Sequence, residues 1–210
     1  MSIHPIYSFD DVHDTQKIFR IMLDSMARPG KINVLPSIYL LRKDENFLYL
    51  IAKTLLDIEV TFCFLPQNNF LEYQIKQDTG SSTAPIDKAD YIFCDGRKEN
   101  KNLYLAKQGS LFFPEQSATV IMLVGKILAN KSENFRGVKL ELSGPGIFSA
   151  TSIYIEGIHS FNIEWLLNCN KEYPKGVDTF IVDLEGRLVG IPRSVKVKIV
   201  GGESQWDMWL

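Results

Sequence analysis

Apolar and polar residues alternate along this chain in two rhythms, and the switches between them mark out its elements. Over residues 8–27 the apolar positions Ile18, Phe19, Met22, Leu23 and Met26 return at helical spacing, which predicts a helix with that stripe turned inward. Ser8 and Asp11 resemble a capping box with Asp in place of Glu. Arg28-Pro29-Gly30 ends the helix, since the residue before proline avoids the α region and glycine permits a sharp turn. A short strand over 32–35 is closed by Pro36. Residues 44–57 read as a second helix, apolar nearly all round and therefore buried. Residues 59–65 are rich in aromatic and β-branched side chains and read as a strand. A third helix over 68–78 is stopped by Gly80. A strand over 89–94 runs into an Asp95-Gly96 turn, and a short helix over 100–107 stops at Gly109.

The stretch 108–126, QGSLFFPEQSATVIMLVGK, organises the rest. Its second half, 118–124, is a short apolar run of the kind that forms a strand buried on both faces. Its first half has no packing rationale. Pro114 removes a donor, and Glu115, Gln116, Ser117 and Thr119 then crowd polar groups against the strand. Such a cluster is either a local capping network or part of a site.

Beyond it, strands are expected over 138–142 and 151–155, joined through Ser143-Gly144-Pro145-Gly146. A helix over 160–170 turns Phe161, Trp165 and Leu166 inward. A hairpin follows, 178–184 and 188–191 around Glu185-Gly186, and then a last strand over 194–200. Strands alternating with helices imply right-handed crossovers and a largely parallel sheet covered on both faces. The expectation is α/β: a three-layer α/β/α sandwich with a mixed, largely parallel sheet, in one domain spanning 1–210 with a short tail over 201–210.

Composition narrows the function. The 210 residues carry a net charge of −2, with no basic stripe interleaved with aromatics, which argues against nucleic acid as a partner. No run approaches the length of a membrane helix, and MSIHPIYSFDD lacks the basic-then-apolar order of a secretory signal, so a cytoplasmic protein is expected. Cys63, Cys94 and Cys169 are isolated and form no C-x-x-C pair, so neither zinc nor an iron–sulfur cluster is suggested. His4, His13 and His159 are scattered and suggest no metal site.

Several residues have both a functional and a structural reading. Arg28 and Arg193 could each grip a phosphate or a partner carboxylate, or satisfy local carbonyls. Asp57, near a helix C-terminus where the dipole disfavours an acid, points to an arginine partner such as Arg28 or Arg193. Ser81, Ser82 and Thr83 beside Gly80 could cradle a phosphate or be only a loop. Glu115 could act as acid or base. Gly144 and Gly146 serve a tight turn or let a phosphate approach the backbone. A Schiff-base lysine needs a desolvated cleft, and Lys53, Lys126 and Lys139 all lie beside polar or charged neighbours, so no cofactor is expected.

Seven blocks in order carry a family resemblance: FRIMLDSMARPG, LLDIEVTF, TGSSTAP, FFPEQSATV, LSGPGI, YPKGVDTFIV and IPRSVKV. At these spacings the chain resembles PhnH, the H subunit of the bacterial carbon–phosphorus lyase system. The resemblance implies a fold like that of pyridoxal-phosphate-dependent transferases, without the cofactor. It implies a homodimer in isolation and assembly with G, I and J subunits into a core complex. That system joins a phosphonate to the ribose of ATP and releases adenine, and the J subunit then cleaves the C–P bond by iron–sulfur radical chemistry. The chain would be a non-catalytic subunit that helps shape a pocket for a polyphosphorylated nucleotide or ribosyl ligand. The competing readings are a stand-alone enzyme on a nucleotide or ribosyl phosphate, with Glu115 as base between Arg28 and Arg193, and a homodimeric binding module. Gly201-Gly202 and ESQWDMWL stand where family members often continue into a helix, so Trp206 and Trp209 are expected to pack on the subunit or a neighbour.

Overall fold

Eleven strands and four helices make up the computed structural model, which describes residues 9–38 and 43–200, with Lys43 and Asp44 described only in their backbone. The expectations that fall on Ser8, His4, Trp206 and Trp209 lie outside the described residues.

The central strand is β5 (Thr119–Val124), in the place expected of the apolar run. Val120, Met122 and Val124 point to one side of the sheet, and Ile121 and Leu123 to the other. Both sets are buried, which is why the strand reads as a continuous apolar run rather than an alternating one. It pairs in parallel with β4 (Tyr91–Asp95) on one flank and β9 (Asp178–Asp183) on the other. Outside β4 lie β2 (Thr61–Leu65) and the two-residue β3 (Ser82–Thr83), both parallel. Outside β9, β10 (Arg187–Ile191) runs antiparallel to it, and β1 (Asn33–Val34), antiparallel to β10, runs the same way as β9 again. The result is a seven-stranded, mostly parallel sheet in the order β1-β10-β9-β5-β4-β2-β3.

Its two faces are covered differently. On one lie α1 (His13–Ala27), α2 (Lys43–Leu55) and α3 (Asn69–Thr79), whose Ile18, Met22, Phe47, Leu50, Leu71 and Ile75 pack on Phe62, Phe93, Ile121 and Val182. On the other lies a second sheet that the sequence reading had merged with the first. It is antiparallel, in the order β11-β7-β8-β6, built from β6 (Lys126–Leu128), β7 (Gly137–Ser143), β8 (Thr151–Glu156) and β11 (Lys196–Ile199). With α4 (Ser160–Asn168) it buries Val138, Leu140, Ile153, Ile155, Ile163 and Trp165 against β5, β9 and β10. The helices are therefore shared unevenly between the faces, three on one and α4 alone on the other. The far layer is mostly strand, because β6, β7 and β8 follow β5 directly and offer their own apolar face to it.

Connections keep one hand. The step from β2 outward to β3 crosses the α1–α3 face through α3. The inward steps from β4 to β5 and from β5 to β9 cross the other face, where Leu103, Ala106 and the small sheet pack. The segments after the neighbours β2 and β4 thus leave on opposite faces.

Local chemistry explains the ends. Asp10 caps the first helix: its Oδ1 accepts from the Val12 and His13 amides at 2.9 and 2.8 Å. Asp14 Oδ2 returns the favour by accepting from the Asp10 amide at 3.0 Å. Phe19 and Leu23 are exposed, contrary to the expected stripe, because α1 turns Ile18, Met22 and Ser25 inward instead. At Ser25 the helix backbone rests directly on β10: a Cβ at Gly190 would sit 2.6 Å from the Ser25 carbonyl carbon and oxygen. Gly80 stops α3 in the left-handed region at φ 74°, as expected. The segment 100–107 forms only a 3₁₀ turn, Lys101–Leu105. No helix among the described residues is long and apolar enough to cross a membrane.

Candidate functional site

Two ends of the large sheet carry chemistry, and the sequence pointed to the amino end of the parallel strands. There Arg193 is the hub. Its Nη2 and Nε donate to Asp178 at 2.6 and 3.3 Å, its backbone N–H to Asp178 Oδ1 at 2.8 Å, and its Nη1 to the Pro114 carbonyl. The guanidinium therefore fastens the organising loop to the start of β9. Ser117 bridges Gln108 in that loop, and its Oγ is buried without a partner. Thr119 stands in register between Tyr91 and Asp178, and its amide donates to the Asp90 carbonyl at 2.8 Å. Glu115 projects into solvent.

The other sequence candidates do not join them in one cavity. Arg28 is exposed and pairs with Asp24 at 2.6 Å, which also holds Lys31 at 2.7 Å. Asp57 is exposed and accepts from the Glu59 amide at 2.9 Å, so the expected arginine partner is replaced by its own turn. Ser81 is buried and donates to the Val60 carbonyl at 2.7 Å, while Ser82 and Thr83 form β3; the expected loop is a strand and no phosphate cradle. Gly144 and Gly146 have positive φ, and protein fills the space beside them. A Cβ at Gly144 would lie 3.1 Å from the Ser194 carbonyl oxygen, and one at Gly146 2.7 Å from that of Ala27. These are turn glycines packed on the end of α1 and the start of β11. The arrangement of Glu115 as base between Arg28 and Arg193 is not assembled, because the Arg193 donors are committed to Asp178 and Pro114 and Arg28 turns to Asp24. Lys53 pairs with Asp11 at 2.7 Å, and Lys139 lies over the Tyr154 ring.

The carboxyl end of the same strands holds a cleft of about 400 Å³ that the sequence reading missed. It opens between the segments after β2 and β4, which leave on opposite faces of the sheet. In open α/β sheets that reversal leaves a crevice at the strand ends, where ligands bind. Leu48, Phe64, Leu71 and Leu123 form its floor, with Phe64 stacked on Phe93 at 5.2 Å between ring centres. Glu45, Gln67, Asn68, Asp95, Arg97 and Lys98 form its rim.

That rim is held from behind. The buried Asn100 amide donates to the carbonyls of Asp95 and Lys98 at 2.9 Å each. The fully buried Asn162 amide donates to those of Gly96 and Lys98 at 2.8 and 2.7 Å, and its oxygen accepts from the Asn100 N–H at 3.2 Å. The Gly96 N–H bonds the Leu123 carbonyl, tying the loop to β5. On this platform Arg97 Nε and Nη2 donate to the two oxygens of Asp95 at 2.8 and 3.2 Å, and Lys98 reaches the same carboxylate at 3.5 Å. Burial pushes the Asp95 carboxyl up, but these cations outweigh it and hold it below the usual carboxylate range. Across the cleft, Asn68 caps α3 through the Leu71 amide at 3.1 Å and donates to Glu45 at 3.1 Å.

The thiols take no part. Burial pushes Cys63 and Cys169 up to about 12, and Cys94 further in the same direction, so all three stay protonated at neutral pH. Among the described residues no group of three or more His, Cys, Asp and Glu side chains could hold a metal. The His159 Nδ1 accepts from the Phe161 amide at 3.2 Å at the head of α4.

In the sequence, the cleft is signalled only by polar residues just after two strands, Gln67-Asn68 and Arg97-Lys98. They read as turns because only their adjacency across β2 and β4 makes them a site.

The family described as bacterial phosphonate metabolism protein (PhnH) matches residues 8–198. The chain is also 28% identical over 189 residues to HtxG of Stutzerimonas stutzeri, which is named as a C-P lyase subunit protein; the match covers 89% of this chain and 87% of that one. The chain therefore belongs to the PhnH family of bacterial phosphonate metabolism proteins.

Proposed function

We propose that this chain is the H subunit of a carbon–phosphorus lyase core complex, working with G, I and J subunits while a phosphonate is transferred to the ribose of ATP and adenine is released. The family match over residues 8–198 carries this reading, and a relative named as a C-P lyase subunit supports it. The subunit supplies surface and shape rather than the reactive groups. Its thiols, Cys94 and Cys169 buried and Cys63 half-buried, are protonated, and its best-placed arginine is spent on Asp178 and Pro114. A fold like that of pyridoxal-phosphate-dependent transferases, a single domain, a homodimer in isolation and a cytoplasmic location belong to the same proposal.

The surface offered to neighbours has a physical basis. Leu111, Phe112 and Phe113 are 65%, 88% and 55% exposed in one loop. Three large apolar side chains in a row are costly in water unless something covers them. The loop is also stiff: Ser110 and Phe113 exchange bonds at 3.0 and 3.1 Å, and Arg193 holds Pro114 behind it. A stiff apolar loop loses little entropy on docking.

The test is co-expression of the tagged chain with the other core subunits. They are expected to co-purify, and the isolated chain is expected to show no ATP nucleosidase activity. Turnover by the chain alone, or failure to retain any core subunit, defeats the reading.

A further inference from the structure

We propose that the cleft at the carboxyl ends of β2, β4 and β5 takes a flat heteroaromatic ring with neighbouring hydrogen-bond donors and acceptors on its edge, the nucleobase class, and does not take a polyphosphate. This deepens the reading of the chain as a subunit serving a nucleotide reaction and rests on it for the choice of probe.

Shape sets the first limit. A volume of about 400 Å³ is at the small end of ligand pockets, enough for a ring and a sugar. The floor is apolar, from Leu48, Phe64, Leu71 and Leu123, and suits the face of a ring.

Charge sets the second. Glu45 and Asp95 on the rim balance Arg97 and Lys98, so the lining has no net formal charge among the described residues. Arg97 already gives two donors to Asp95, and Lys98 leans on the same carboxylate. Among the described residues, a triphosphate, with about four negative charges, would meet as many carboxylates as cations and gain little.

Hydrogen bonding sets the third. On the wall after β2, the Glu45 carboxylate, which takes one bond from Asn68, and the exposed Gln67 amide put acceptors and donors side by side. Such pairs match the adjacent donor and acceptor of a base edge. Asn100 and Asn162 fix one wall, and the α3 cap fixes the other, so little ordering is left to be done on binding.

The experiment is calorimetric titration of the full chain with adenosine, guanosine, cytidine and uridine, followed by the mono- and triphosphates of the best binder and by inorganic phosphate. At least one nucleoside is expected to bind. Its affinity should change less than about threefold on adding phosphates or on raising salt from about 0.05 to 0.5 M, since charge contributes little. Inorganic phosphate should not displace it. Gln67→Ala and Glu45→Gln should each weaken binding by about five- to tenfold, the size of one hydrogen bond. Gln67 is exposed, so its variant should keep the parent's urea midpoint. No binding by any of the four nucleosides, a gain above about tenfold from nucleoside to triphosphate, or unchanged affinity in both variants would each overturn the proposal. If nucleoside binding holds but the other subunits do not co-purify, the complex reading fails instead, and the two failures are told apart.

Discussion

Arg193 lies along the Asp178 carboxylate, with Nη2 to Oδ2 at 2.6 Å and Nε to Oδ1 at 3.3 Å, while its Nη1 reaches back to the Pro114 carbonyl 79 residues away in the chain. One side chain thus ties the strand-to-strand connection after β10, the start of β9 and the apolar loop before β5. The pair is partly buried, with side chains 18% and 29% exposed. Arg193→Ala should cost about 2 kcal/mol, between a surface pair and a fully buried one. Asp178→Ala should cost a similar amount, and the double variant clearly less than the sum. Urea unfolding of the three variants measures the coupling; strict additivity would mean the pair does not act as one.

Gly190 is needed for contact, not for its turn. Gly190→Ala places a methyl carbon against the Ser25 carbonyl, and neither the strand nor the helix backbone can move away cheaply. The expected cost is about 2–3 kcal/mol, as for other overpacked cores. A thermal midpoint within about 1 °C of the parent would show that α1 shifts freely on the sheet.

Asn162 holds the cleft wall without reaching the cleft. Asn162→Ala should take the partner from the Asn100 N–H and one bond each from the Gly96 and Lys98 carbonyls, which keep the His159 N–H and the Asn100 amide, and destabilise by about 2 kcal/mol. Amide hydrogen exchange should quicken first over residues 96–100. Exchange that quickens evenly across the molecule would argue against a local clamp.

Asp95 gives a pH signature. Its carboxyl is held below the ordinary aspartate value, so the folded state binds the proton less readily than the unfolded chain. Its contribution is therefore complete above about pH 4, the ordinary aspartate value, and is lost as pH falls through the lower folded value. Asp95→Asn should be less stable than the parent at pH 7, with the gap closing toward about pH 3. A gap that stays constant down to that pH would assign the loss to shape rather than charge.

Phe112 tests the docking loop. Phe112→Ser removes a side chain that is 88% exposed, so the urea midpoint of the isolated chain should hold, with a change within about 0.5 kcal/mol. Recovery of the other core subunits on the tagged variant should fall several-fold. Full recovery would place the interface elsewhere, for example on the exposed Phe19 and Leu23 of α1.

Some of this was legible along the chain. The β-branched run before Gly125 reads as a strand buried on both faces, because its five apolar residues, Val120 to Val124, are too few for a buried helix and are bounded by turn signals. Gly80 had to end α3, and β9 with β10 had to be a hairpin, since turn chemistry is local. The seven family blocks were legible for the same reason: each is contiguous. What the order of residues left open was decided by faces and neighbours. Phe19 and Leu23 fit the helical period as well as Ile18 and Met22 do, and only the seating of α1 on Gly190 turned them outward. Strands β7, β8 and β11 carry the same alternation whether they extend the large sheet or form a second one. Arg193 and Asp178 are 15 residues apart, and the walls of the cleft meet only because β2 and β4 lie side by side while their chains depart to opposite faces. Local conformation follows from a residue and its near neighbours; a site built from strand ends requires the sheet to exist first.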